Sequence, residues 1–154
     1  MRRQDKALSE ADIEQILRVG EYGVLATVGP DGQPYGVPLN YICMNGNIYF
    51  HCALVGQKLD NIAHNERVSF TVVGRTEVLP AEFSTGFESV IAFGTASLIS
   101  GDERYAALMG LAEKYSSDFI AEAPAYIEKF DKQTAVVRVR VERVTGKGKV
   151  TDGM

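Results

Sequence analysis

The sequence is poor in cysteine and histidine: Cys43, Cys52, His51 and His64 are the full set among 154 residues. Two cysteines do not make a disulfide framework of the kind that replaces a core in small secreted domains. The spacing of the four side chains fits no zinc pattern, and strand alternation sends His51 and Cys52 to opposite faces, so no metal is expected. Long apolar runs are missing too, none approaching the roughly 20 residues that span a bilayer. The opening MRRQDKALSEADIEQ has basic residues but no apolar segment after them, so no secretory leader is expected. Nor is there a basic excess. A net charge of −4 argues against non-specific binding to nucleic acid or a membrane surface. Neither GxxxxGK[ST] nor a GxGxxG after a strand occurs. These absences leave a cytoplasmic protein with free thiols as the expectation.

What is present is ordinary for a globular chain, 45% hydrophobic and 23% charged. No repeat, low-complexity stretch or linker divides it, so residues 1–154 are read as one domain. SEADIEQILRV predicts a helix over about 9–19, with Ser9 as N-cap and Asp12 imitating a capping box. From there the period changes to that of strands. YGVLATV, PYGVPLNYICM and NIYFHC read as an antiparallel meander over Tyr22–Cys52. GPDG closes its first turn, and Asn45-Gly46 makes the second a hairpin. Pro34 and Pro38 place part of the second strand at an edge or bulge. RVSFTVV, FESVIAFGTASLIS and TAVVRVRVERV add three more, with a bend or bulge at Gly94. DERYAALMGLAEKYS reads as a helix, and Pro124 opens a shorter one. The expected architecture is mainly β with helical covers: a six-stranded antiparallel barrel over about 22–144 and a mobile tail over 145–154.

One stretch raises a chemical question. In NIYFHCALVGQKLDNIAHN, Ile48, Phe50 and Cys52 share one strand face, while Tyr49 and His51 take the other. Gly56 permits a sharp turn or a close ligand approach, and Gln57 and Lys58 open a helix. A phosphate there would meet backbone N–H groups, the positive end of the helix dipole and the Lys58 ammonium together. The competing reading is a solvated surface lysine. His51 is likewise either a hydrogen-bonded strand histidine or a group facing a ligand.

VLATVGPDGQPYGVPLNY, IYFHCALVGQKLDNIAHNERVSFTV and ESVIAFGTASLI resemble the flavin-binding split-barrel proteins related to pyridoxamine 5′-phosphate oxidase, the nitroimidazole-resistance subgroup in particular. The resemblance implies a six-stranded split barrel of the FMN-binding type, working as a homodimer with FMN in the interface. It implies FMN phosphate against Lys58, Gln57 and the His51, Cys52 and Ala53 segment. The ring would lie along Leu39, Asn40 and Tyr41, and Ser89 would reach across from the partner. The oxidases carry an arginine–lysine pair where this chain has Gln57-Lys58, and a basic strand where it has GVPLNYI. Both departures argue against pyridoxamine 5′-phosphate as substrate. The implied function is electron transfer from reduced FMN to a small aromatic or nitro substrate such as a nitroimidazole, with His51 as the catalytic proton donor. The alternative is a non-enzymatic flavin or haem carrier or sensor on the same fold, with His51 a haem ligand.

Overall fold

The computed structural model describes residues 1–154. Helix α1 (Glu10–Val19) starts where expected: the Asp12 N–H donates to Ser9 Oγ at 3.1 Å, a cap worth about 1 kcal/mol. Seven strands follow: β1 (Gly23–Val28), β2 (Pro34–Leu39), β3 (Ile42–Met44), β4 (Asn47–Ala53), β5 (Arg67–Leu79), β6 (Ser84–Leu98) and β7 (Thr134–Lys149). Helix α2 (Gln57–His64) links β4 to β5, and α3 (Gly101–Tyr115) and α4 (Ala123–Phe130) lie between β6 and β7. No helix is long and apolar enough to cross a membrane.

The strands form one antiparallel sheet in the order β2-β1-β5-β6-β7-β4-β3, which resembles a split, non-closed barrel. The count is seven rather than the expected six, and the meander of the first three strands does not form. The expected second strand breaks at Asn40-Tyr41. Its first half stays beside β1 at one edge of the sheet, and its second half pairs only with β4 at the other. The physical reason lies in the prolines, since Pro34 and Pro38 have no N–H to give a second neighbour. The Asn45-Gly46 hairpin holds, with φ of 54° and 73°, the double positive that a type I′ turn needs.

Three other boundaries move. β5 and β6 run on past their expected ends to meet at a tight turn, Pro80–Glu82. β7 runs through Lys149, with Lys147 opposite Ser89 and Lys149 opposite Phe87, so residues 145–149 of the expected mobile tail are strand. Gly146 and Gly148 read as loop in the sequence because they are glycines, but packing explains them. A Cβ on Gly146 would stand 2.4 Å from Ile13 Cγ1, so the residue is bare to let α1 lie on the sheet. Gly94 does sit at the register shift between β6 and β7, where a Cβ would meet the Arg140 carbonyl oxygen.

Two apolar layers result. The larger lies inside the curved sheet around Leu25, Tyr41, Phe50, Phe70, Val90 and Val137, all fully buried. Burying each of the large ones contributes about 1.5–3 kcal/mol. The smaller one lies on the opposite face of β4 and β7, where Ile42, Tyr49 and Val136 meet Ala107 and Leu111 of α3. Strand alternation therefore placed Tyr49 on the correct face, but that face is covered by helix.

Candidate functional site

His51 follows Tyr49 on the helix-covered face of β4, two residues beyond the point where α3 packs tightly. The helices lift away there and leave a cavity of about 630 Å³. His51, Cys52, Ala53 and Asn40 form one side of it. Leu108, Leu111 and Tyr115 from α3, Phe119 from the connecting turn, and Tyr126 and Phe130 from α4 form the other. Tyr126 and Phe130 are four apart on α4, and their rings meet with centroids 4.7 Å apart, tilted by 48°. Its volume, its apolar and aromatic walls and its few polar groups are those of a small-molecule pocket.

The polar groups in it differ in availability. Arg104 is spent: its guanidinium pairs with the Asp131 carboxylate and donates to the Asp131 and Thr134 carbonyls at 3.0 and 2.9 Å. That ties α3 to the α4–β7 junction at the edge of the cavity. His51 is not spent. Its imidazole is reached from the cavity, and the surrounding apolar walls push its pKa below the ordinary histidine value, with no neighbouring charge contributing. A neutral imidazole near pH 7 has a free lone pair to offer a ligand.

Beyond Ala53 the chain turns at Gly56 into α2. Gly56 has φ of +154°, which disfavours any side chain, and nothing lies within 4 Å of where a Cβ would be, so its backbone is open to a ligand. Lys58 stands in the first turn of α2. Its charge bears on the Cys52 thiol, partly offsetting the burial that pushes that thiol's pKa up. Lys58 makes no ion pair in the protein.

The structure thus gathers Asn40, His51, Cys52 and Ala53 around one cavity, with Lys58 beside Cys52. Four other candidate residues lie elsewhere. Gln57 is exposed, and its Nε2 donates to Asn61 Oδ1 at 2.9 Å. Asn61 in turn donates to Thr27 Oγ1 at 3.0 Å, which pins α2 to β1. Leu39 packs on the main core. Tyr41 is fully buried, its hydroxyl donating to the Leu17 carbonyl and its ring set edge-on to Phe70 at 4.8 Å. Burial drives its phenol pKa far up. Ser89 lies in register with Val73 and Lys147 and does not line the cavity. The helical wall was missed in the sequence. Its signal was faint: α3 shows apolar residues on two sides, and α4 repeats an aromatic at four residues.

The family model described as pyridoxamine 5′-phosphate oxidase matches residues 9–148. No curated protein matches the chain. Among solved structures, the conserved hypothetical protein Rv2991 from Mycobacterium tuberculosis superposes with a TM-score of 0.82 at 24% identity, covering 96% of this chain and 89% of that one. The FAD and haem binding protein from Mycobacterium smegmatis gives 0.80 at 19% identity, over 97% and 78%. A protein described as a 5-nitroimidazole antibiotic resistance protein from Bacteroides thetaiotaomicron gives 0.75 at 24% identity, over 91% and 84%. At these identities the likeness is one of fold.

Proposed function

Because the chain belongs to the pyridoxamine 5′-phosphate oxidase family, we propose that its cavity binds a flat conjugated cofactor, flavin or haem, and that the protein serves as a carrier or sensor of that cofactor. The observation that carries this reading is the neutral, unengaged His51 facing a cavity of about 630 Å³ walled by aromatic rings. Relatives of the same fold described as binding FAD and haem support it.

The residues fit either group, by different contacts. For haem, His51 would supply the neutral imidazole that ligates iron, and the aromatic wall would cover the macrocycle. For flavin, Asn40, Cys52 and Ala53 would border the ring. The open Gly56 backbone and Lys58 would take the phosphate, as a helix start favours. Either cofactor supplies redox chemistry when bound; the chain supplies placement and the exclusion of water.

The second reading is an FMN-dependent reductase of small nitroaromatics. Phe119 and Tyr126, 66% and 65% exposed, favour it, since they line the cavity from its solvent side, where a second flat molecule would have aromatic faces to stack on. The likeness to the Bacteroides protein points the same way. On this reading His51 holds the proton that the substrate takes up. We also infer a cytoplasmic homodimer in which Ser89 reaches the partner's cofactor. Its support is the exposed Val24 and Val73 on adjacent strands β1 and β5.

The test is to titrate cofactor-free protein with FMN, FAD and haemin and to read the absorbance. A flavin band shifted on binding, or a Soret band that His51→Ala abolishes, is expected. A protein that takes up none of the three contradicts the proposal.

A further inference from the structure

The cavity has a neighbour. A second hollow of about 550 Å³ shares Asn40 and Tyr115 with it as a common wall, so the two adjoin. This hollow is lined by Arg18 of α1 and Lys114 of α3, with Val19, Glu21 and Tyr22.

Lys114 is an unusual cation. Its Nζ donates to the Tyr41 carbonyl at 2.9 Å and stands 3.9 Å from the Tyr41 ring centroid and 5.2 Å from that of Tyr115. It has no carboxylate partner, and neither has Arg18, whose guanidinium donates to the Gln15 amide oxygen. An ammonium carries three N–H donors, and the protein takes up one of Lys114's. Burial also presses its pKa down, so the charge is held at a cost that an anion would relieve. Glu21 is the single acid lining the hollow against two cations. In a chain with net charge −4, two cations without ion-pair partners lining one hollow beside the His51 cavity are not a general surface feature.

We propose that the Arg18–Lys114 hollow is a carboxylate subsite, taking the acid arm of a flat ligand whose ring lies in the His51 cavity. Asn40 and Tyr115 form the boundary such a ligand crosses. The inference rests on the cavity reading above and narrows it to ring systems bearing a carboxylate. The acid belongs either to the cofactor itself, as in the propionates of haem, or to a separate aromatic acid. Lys114 is remote in role from Lys58, which stands near Cys52 and has no part in this hollow.

Calorimetric titration with two matched pairs separates the sources: haemin against its dimethyl ester, and 2-naphthoate against 2-naphthamide. Wild-type protein is expected to bind the acid at least about tenfold more tightly than its neutral counterpart in one pair, as one charge-assisted contact implies. Lys114→Met should abolish that preference while leaving the neutral ligand's affinity within about twofold. Arg18→Gln, an exposed position that tests the same charge without disturbing the Tyr41 contact, should reduce it about threefold or more. Lys132→Ala, at an exposed lysine that lines neither hollow, should leave it intact. Equal binding of acid and neutral forms, or a preference that survives both Lys114→Met and Arg18→Gln, overturns the subsite alone. Wild type that binds none of the four overturns the subsite as well, and the cavity reading falls with it if FMN and FAD also fail to bind.

Discussion

Removing one ammonium group separates ligand binding from folding. In Lys58→Ala the helix start of α2 keeps its backbone N–H groups and the open Gly56 turn, and loses the side-chain charge. Lys58 is half-buried and makes no ion pair, so little stability rests on it; a change within about 0.5 kcal/mol is expected. A phosphate seated on the turn would lose one charge-assisted hydrogen bond, worth about 1.5–3 kcal/mol. At 1.4 kcal/mol per factor of ten, that is roughly tenfold to a hundredfold in Kd for FMN. Riboflavin has the same ring and no phosphate, so its affinity should change less than about twofold. Fluorescence titration of both ligands into wild type and variant measures the difference, and urea denaturation checks the fold. Equal losses for the two ligands would refute the phosphate assignment at Lys58 while leaving the cavity untouched.

Other consequences follow from single residues. Asn61 is 1% exposed and bonded to both Gln57 and Thr27, so Asn61→Ala should cost about 1–3 kcal/mol in urea unfolding by leaving those partners unsatisfied. Gly146→Val should cost about 1–3 kcal/mol, because its Cβ would collide with Ile13, and circular dichroism should show a lower Tm with the sheet retained. The folded-state pKa of His51 lies below its unfolded value, so the unfolded chain binds the extra proton first. Its contribution to stability is present above the ordinary histidine range and is lost as pH falls through it. Denaturation midpoints between pH 5 and 8 should show that loss in wild type and less of it in His51→Gln.

The parts of this molecule that were legible in its sequence are those decided by near neighbours. Ser9 and Asp12 cap α1, Asn45-Gly46 turns a hairpin, and alternation put His51 and Tyr49 on one face of β4. What local pattern could not supply were decisions made across the chain. The split of the second strand, which its prolines permit, also depends on β4 pairing with β7, 87 residues away at Phe50 and Val137, and on Tyr41 being drawn to Tyr115. The end of β7 reads as loop because Gly146 and Gly148 answer to α1 and Leu8, which the local window does not contain. The same division runs through the site. On its strand side, the face of His51 follows from alternation, whereas Asn40, Cys52 and Ala53 were suggested by the family resemblance. Its helix-borne half follows from how α3 and α4 dock. Gln57 and Tyr41 also have partners that local pattern does not show, Asn61 for the exposed Gln57 amide and the Leu17 carbonyl for the buried Tyr41 hydroxyl.

The central claim is that a flat cofactor sits in the space between His51 and the two helices, and filling that space is the direct test. Ala112 lines the cavity from α3 and is half-buried, so Ala112→Trp places an indole where the ligand's ring would lie without altering His51, Lys58 or Lys114. Wild type and variant, matched by circular dichroism, are titrated with FMN and with haemin and followed by absorbance. Saturable binding of at least one of them by wild type is expected, with a loss of about a hundredfold or more in the variant. Wild-type protein that binds neither, or a variant that binds as tightly as wild type, would contradict it.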